Sequence, residues 1–226
     1  LGFNQSSISE PDLHDLTINF IDVGQGDSIL ILTPSGKTML VDGGEKKEGD
    51  KVVETLKNEG INRINVMVCT HPHADHVGGL IKVLQEFPVD NVYDSAKPYS
   101  SKTYEDYLRL IYEKGIPFLK ARAGDEIYLD ESLKISVIWP PSADTEDRFH
   151  IERLSVNDAS IILHISYKDS TILLTGDAEK IVEKELIRRN EIFKSQVLKV
   201  GHHGSITSSS QGFLDVVNPE ISVICV

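Results

Sequence analysis

Residues 64–70, INVMVCT, form a continuous apolar run suited to a strand buried on both faces. A chain built around such a strand must cover it from two sides, so it folds in layers. The run opens directly into HPHADH (71–76), where His71, His73, Asp75 and His76 place four potential metal ligands within six residues. With only eight histidines in 226 residues, that density does not come from composition. Imidazole nitrogen suits zinc, manganese and iron, and carboxylate oxygen adds charge and can bridge two ions. His71 and His73 alternate by two, so in an extended loop both side chains point one way. Asp75 and His76 follow a turn and face a second position. One loop thus supplies half the ligands of two metals.

The order of elements around this loop indicates what the layers are. The runs LTINFIDV (16–23), SILILT (28–33) and TMLVD (38–42) are joined by glycine turns and predict an antiparallel meander. A helix is predicted over 50–60, closed by Gly60, and another over 77–87 despite its paired glycines. Tyr104, Tyr107, Leu108 and Ile111 fall on one face of a helix over 101–115, an aromatic stripe expected to be core. Strand-like runs recur at 89–94, 117–120, 126–129, 133–139, 159–167 and 171–175, before a helix over 178–189. A strand at 196–200, a short helix near 209–217 and the closing ISVICV complete the set. Strands, helix, strand, helix, and the same again: two sheets packed face to face with helices outside accommodate that order. Residues 1–15 read as a linker or arm and 16–226 as one domain. The last strand stops at Val226, as in part of a longer protein.

Composition sets limits. A hydrophobic content of 40% permits a substantial core, and no apolar run approaches the roughly 20 residues of a membrane span. No signal peptide is visible. Cys69 and Cys225 both end apolar runs and are expected to be buried free thiols. The formal charge of −12 argues against a broad electropositive nucleic-acid surface. It does not exclude a nuclease, because divalent cations can supply positive charge where phosphate must sit.

The remaining ligands must come from distant segments. TILLTGDAE delivers Asp177 at the end of an apolar strand, and VLKVGHHGS delivers His202 and His203 in the same way. Asp177 could alternatively cap the helix that follows.

These segments together resemble the metallo-β-lactamase superfamily of dinuclear hydrolases. LVDGG (40–44), HPHADH, LLTGDAE and VGHHGS resemble its first, second, fourth and fifth motifs, and the resemblance runs from Leu16 onward. Within it, FIDVGQGDSILI, NDASIIL and LKVGHHGSITSSS are similar to the extracellular domain of the ComEC competence-protein family. The resemblance implies an α/β fold, a four-layer αββα metallo-β-lactamase sandwich, with two divalent ions, Zn²⁺ or Mn²⁺, at one edge. His71, His73 and Asp177 would hold one ion. Asp75, His76, Asp177 and either His202 or His203 would hold the other, Asp177 bridging. Asp75 and Asp177 are the candidate catalytic carboxylates. Asp42 would brace the histidine loop, with Asp22, Gln25 and Asp27 of the DVGQGD turn as further supports. Many superfamily members add a third histidine to the first metal. The candidates here are His150 and His164, while the position matching the ComEC-like pattern is Asn157. Its amide would bind a metal weakly or bond a substrate phosphate, leaving a site more tolerant of manganese.

Two divalent ions suit in-line displacement at phosphorus, with no nucleophilic Ser or Cys required. Ser205 and Ser208, in the serine-rich loop after His203, are candidates to cradle a phosphate. Lys199 and the segment 148–153 are the nearest basic groups. The resemblance implies DNA, single- or double-stranded, as substrate. It also implies a place in competence DNA uptake, outside the bacterial cytoplasmic membrane, with attachment to a membrane transporter domain and a monomeric state. A phosphorylcholine esterase-like hydrolase is the alternative enzyme, and a non-catalytic DNA-guiding domain the alternative class.

Overall fold

The computed structural model describes residues 15–142, 149–191 and 194–226. The arm expected at 1–15 lies outside them except for Asp15. The described residues form two six-stranded sheets. In the first, β1 (Thr17–Phe20), β2 (Ile29–Leu32) and β3 (Thr38–Val41) make the expected antiparallel meander. Then β4 (Ile64–Cys69), β5 (Val89–Asp94) and β6 (Phe118–Lys120) add in parallel. In the second, β7 (Glu126–Ile127), β8 (Leu133–Trp139), β9 (Ile162–Tyr167) and β10 (Ser170–Leu174) are antiparallel. The strands β11 (Val197–Lys199) and β12 (Ile221–Val223) then add to β10 in parallel.

Side-chain alternation builds the layers. Ile29, Ile31, Met39, Val41, Val66 and Val68 of the first sheet meet Ile135, Val137, Leu163, Ile165, Ile172 and Leu174 of the second. Leu30, Leu32, Leu40 and Met67 point the other way, against helices α1 (Gly49–Asn58), α3 (Leu80–Glu86) and α4 (Lys102–Glu113). Leu173 and Leu198 likewise pack under α5 (Lys180–Arg189) and α6 (Gln211–Val217). Three apolar interfaces thus separate four layers, αββα. Tyr104 and Tyr107 are core, as their stripe predicts, and Ser101 caps α4 by accepting a bond from the Tyr104 N–H (3.2 Å).

The helix expected over 77–87 is split. A single turn, α2 (Ala74–Val77), carries Asp75 and His76, and α3 starts only at Leu80. The paired glycines between them are the reason. The Gly43 N–H donates to the His76 carbonyl (2.7 Å) and the Gly79 N–H to the Gly44 carbonyl (2.9 Å). A Cβ on Gly79 would overlap the Gly43 carbonyl, so LVDGG and HVGG must meet backbone to backbone. That contact presses the histidine loop against the end of β3.

In each sheet the pairing changes from antiparallel to parallel at one strand, β3 in the first and β10 in the second. Asp42 and Asp177 follow those two strands, and the two histidine segments follow their parallel neighbours β4 and β11. Because β3 and β4 run parallel, as do β10 and β11, all four segments leave their strands at C-terminal ends, the edge where α/β sheets carry their ligands.

Candidate metal centre

Three imidazoles converge on one carboxylate oxygen. Asp177 Oδ2 lies 3.7 Å from His71 Nε2, 3.3 Å from His76 Nε2 and 3.4 Å from His203 Nε2. Asp75 Oδ2 is 3.5 Å from His203 Nε2, and His73 Nδ1 is 3.1 Å from His71 Nε2. Asp177 Oδ2 therefore stands among His71, His76 and His203, with His73 adjoining His71 and Asp75 adjoining His203. It is not a helix cap: α5 is entered through Glu179.

Each converging ring is held from behind. His71 Nδ1 is 3.2 Å from both Thr70 Oγ1 and Ser160 Oγ. Thr70 donates its own proton to Asp42 Oδ2 (2.6 Å), so its oxygen accepts from His71, and Nε2 keeps its lone pair. Asp42 Oδ2 also lies 2.8 Å from His76 Nδ1, while its Oδ1 accepts the Thr70 N–H (2.8 Å). His203 Nδ1 is 3.0 Å from the Cys225 carbonyl. Carboxylate and carbonyl partners of this kind orient metal-binding histidines and raise their basicity. Asp42→Asn keeps the shape of this brace and removes its charge. The expected outcome is metal affinity about 10–100-fold weaker, measured by calorimetry, with the fold intact.

His202 and His203 are consecutive residues with left-handed backbone, φ 45° and 52°. This strain, about 1–3 kcal/mol each, is typical of functional sites. It turns the two rings apart. His203 enters the cluster, while His202 faces Glu179 (3.1 Å) and Thr207 (3.0 Å).

Lys199 is fully buried, its ammonium paired with Asp27 and donating to the Gly176 carbonyl (3.1 Å), with Asp177 Oδ1 at 3.9 Å. It is not a surface phosphate contact, as its sequence position suggested; its charge is spent inside. Burial alone would lower its pKa, but Asp27 and Asp177 hold it above the ordinary lysine range. Asp27 is buried at the site, whereas Asp22 and Gln25 are on the exposed side of the same turn. Asp22 bonds Gly24 and Lys51 instead of a ligand. Ser208 is also turned inward, donating to the Gly201 carbonyl (2.6 Å); it shapes the loop and does not face substrate. Ser205 remains in the loop, 3.1 Å from Thr207. Among the described residues, neither His150 nor His164 belongs to a group able to hold an ion. His164 sits on β9, on the helix-facing side of its sheet. Cys69 is buried as expected, but Cys225 is only half-buried.

The donor set fits cations. Among the described residues, His71, His76 and Asp177 form one group able to hold an ion, and Asp75, His76 and His203 another. Asp27 pairs with the Lys199 ammonium, Asp177 Oδ1 lies 3.9 Å from it, and that Oδ1 is buried without a hydrogen-bond partner. Burial would push His76 and His203 down, yet Asp177 with Asp42 holds His76 well above the ordinary range, and Asp177 with Asp75 holds His203 up to about 9. Positive charge is what this spot demands.

The metallo-beta-lactamase superfamily model matches residues 21–226. The chain belongs to the metallo-beta-lactamase superfamily. Members are generally metal-dependent hydrolases, and a hydrolase role follows for this one. Among solved metallo-beta-lactamase structures, one from Cronobacter sakazakii with a HARLDQ motif has a TM-score of 0.53 at 13% identity, covering 80% of this chain and 73% of that one. CmlA, a diiron beta-hydroxylase from Streptomyces venezuelae, has a TM-score of 0.56 at 13% identity, covering 93% and 45%. Both likenesses concern the fold. Curated relatives include competence-related proteins. ComE operon protein 3 of Bacillus subtilis is 28% identical, over 92% of this chain and 28% of that protein. Recombination protein 2 of Haemophilus influenzae is 30% identical, over 92% and 24%. Competence protein ComA of Neisseria gonorrhoeae is 25% identical, over 93% and 27%. The chain therefore spans about a quarter of the length of these relatives.

Sequence reasoning missed Thr70, Ser160 and the Cys225 carbonyl. Ser160 had a signal, since it lies in the NDAS segment that ends beside the site. The carbonyl had none, because a main-chain acceptor carries no residue type.

Proposed function

We propose that this domain is a dinuclear metal-dependent phosphodiesterase that cleaves DNA during competence DNA uptake. The observation that carries it is the convergence of His71, His76 and His203 on Asp177 Oδ2 amid buried carboxylates, in a chain whose curated relatives include competence-related proteins. His71, His73 and Asp177 hold one ion, and Asp75, His76, Asp177 and His203 hold the other. When bound, two such cations supply Lewis acidity at a phosphoryl oxygen and acidify water. Asp75, on the more exposed lip, is placed to orient the attacking water, and Asp177 fixes both halves of the site. The ions also supply the positive charge that an acidic chain lacks for binding phosphate. Tyr99, edge-on to His73 at 5.4 Å and partly exposed, offers an aromatic face on which a base can stack. In this reading the domain works as a monomer outside the bacterial cytoplasmic membrane, joined to a membrane transporter domain. Among the described residues, no helix is long and apolar enough to cross a membrane.

The test is incubation of single-stranded and duplex DNA with the domain in Mn²⁺, Zn²⁺ or EDTA. Cleavage with either ion and none in EDTA is expected. Hydrolysis of small phosphodiesters or phosphorylcholine esters, with DNA left intact under every metal, would overturn the nuclease reading.

A further inference from the structure

The loop that follows β5 is held far more firmly than a surface connection requires. Buried Asp94 ends the strand, and its Oδ1 accepts the Ala96 N–H (2.6 Å) and the Tyr104 hydroxyl proton (2.9 Å). Ala96 is left-handed, φ 51°, a backbone that alanine keeps only where its surroundings impose it, as they do at ligand clamps. The Ser95 carbonyl accepts from Arg122 Nη1 (2.8 Å), and the Ala121 N–H donates to the Asp94 carbonyl (3.0 Å), so the segment after β6 grips the loop. Lys97 fastens it a second time. It is buried, and its ammonium donates to the Ile151 and Glu152 carbonyls, both at 2.9 Å. A buried lysine is rare, and this one is directed at main-chain oxygens of a distant segment. That segment runs on into Asn157, whose Nδ2 lies 3.4 Å from Glu179 Oε1 and from His202 Nε2, and into Ser160, 3.2 Å from His71 Nδ1. The loop is thus tied both to β6 and to a stretch of chain that reaches the metal centre. Two residues after Lys97, beyond Pro98 with its fixed φ, stands Tyr99. Its ring is exposed and lies 5.4 Å from the His73 imidazole, the two planes at 80°.

We infer that Tyr99 is a substrate-binding residue that stacks on a nucleobase next to the phosphate held at the centre, with Asp94, Lys97 and Arg122 as positioning residues that fix its loop beside His73. Such a role rests on the DNA-cleaving reading above and narrows it: the site takes hold of a base as well as a phosphate. Tyrosine presents a large flat face at little conformational cost. Every base has a matching face, so the contact selects nucleotides over other phosphodiesters without reading sequence. Fixing the loop beforehand spares substrate binding the cost of ordering it. That accounts for two buried or half-buried cations bonded to carbonyls around one short connection.

The test compares a labelled thymidine oligonucleotide with an abasic oligonucleotide of the same length. Affinity is followed by fluorescence anisotropy in EDTA, where no cleavage is expected, and KM is measured in Mn²⁺. The wild type should prefer the base-bearing strand by about tenfold in both measurements. Tyr99→Ala should bind the two strands alike, at the wild type's affinity for the abasic one, and Tyr99→Phe should keep the preference. Lys97→Met should lose most of the same preference at unchanged metal content, Lys97→Arg should recover it, and Lys97→Met should add nothing once Tyr99 is alanine. A wild type indifferent to the base, or a preference that survives Tyr99→Ala, would overturn the assignment. So would an equal loss on both strands in Tyr99→Ala, which would make the ring a mere support for His73. The nuclease reading fails differently: the wild type would prefer the base-bearing strand through Tyr99 yet cleave no DNA under any metal. No binding to either strand would overturn both.

Discussion

Asp177→Asn is expected to leave a folded protein that cannot hold two ions and has lost catalysis by about a thousandfold, the equivalent of roughly 4 kcal/mol. The two properties separate for a structural reason. Asp177 Oδ2 lies within 3.7 Å of His71 Nε2, 3.3 Å of His76 Nε2 and 3.4 Å of His203 Nε2, so one oxygen is shared by histidines assigned to both ions. Asparagine fills the same volume and offers an N–H to the imidazole lone pairs, so the interior stays satisfied while the bridging charge is gone. The backbone N–H at 177 still donates to Ser160, and Lys199 keeps Asp27. Metal content after reconstitution and dialysis, read beside the hydrolysis rate, checks this. Two ions per chain in Asp177→Asn would refute the bridging role.

The second large effect falls on stability. Lys199→Met should cost about 3–5 kcal/mol, because it strands buried carboxylates without their cation. For a chain of this size that lowers the melting temperature by about 6–20 °C. The loss should be greatest in metal-free protein and smaller with Mn²⁺ bound, since a bound cation restores part of the missing charge. Adding Asp27→Asn to Lys199→Met removes one stranded carboxylate and should recover part of the stability, a coupling that thermal melts of the two single variants and the double variant measure. A melting temperature within 2 °C or so of wild type would show that Lys199 is not the buried counter-charge.

Lys199 also shows what in the fold was legible and how it was misread. Its strand alternates: Val197 packs against the inter-sheet core and Leu198 faces the outer helices. Residue 199 therefore points between the sheets, where a lysine can survive only beside carboxylates. The same period of two made the layers readable, because every central strand carries apolar residues on two faces. Asp75 and His76 were legible as a unit because one short turn carries both. The glycine pairs at 43–44 and 78–79 were visible too, but a propensity argument sees them as weak helix formers, while they mark a backbone contact between distant segments. The choice between His202 and His203 was not legible. It depends on two successive left-handed residues, a conformation histidine seldom adopts and no spacing rule anticipates.

The two-ion centre is tested most directly by anomalous diffraction from crystals of the Mn²⁺-loaded domain, recorded on both sides of the manganese edge. Two peaks flanking Asp177 Oδ2 are expected, one beside His71 and His73 and the other among Asp75, His76 and His203. A single peak at full loading, or peaks away from Asp177, would contradict the dinuclear centre.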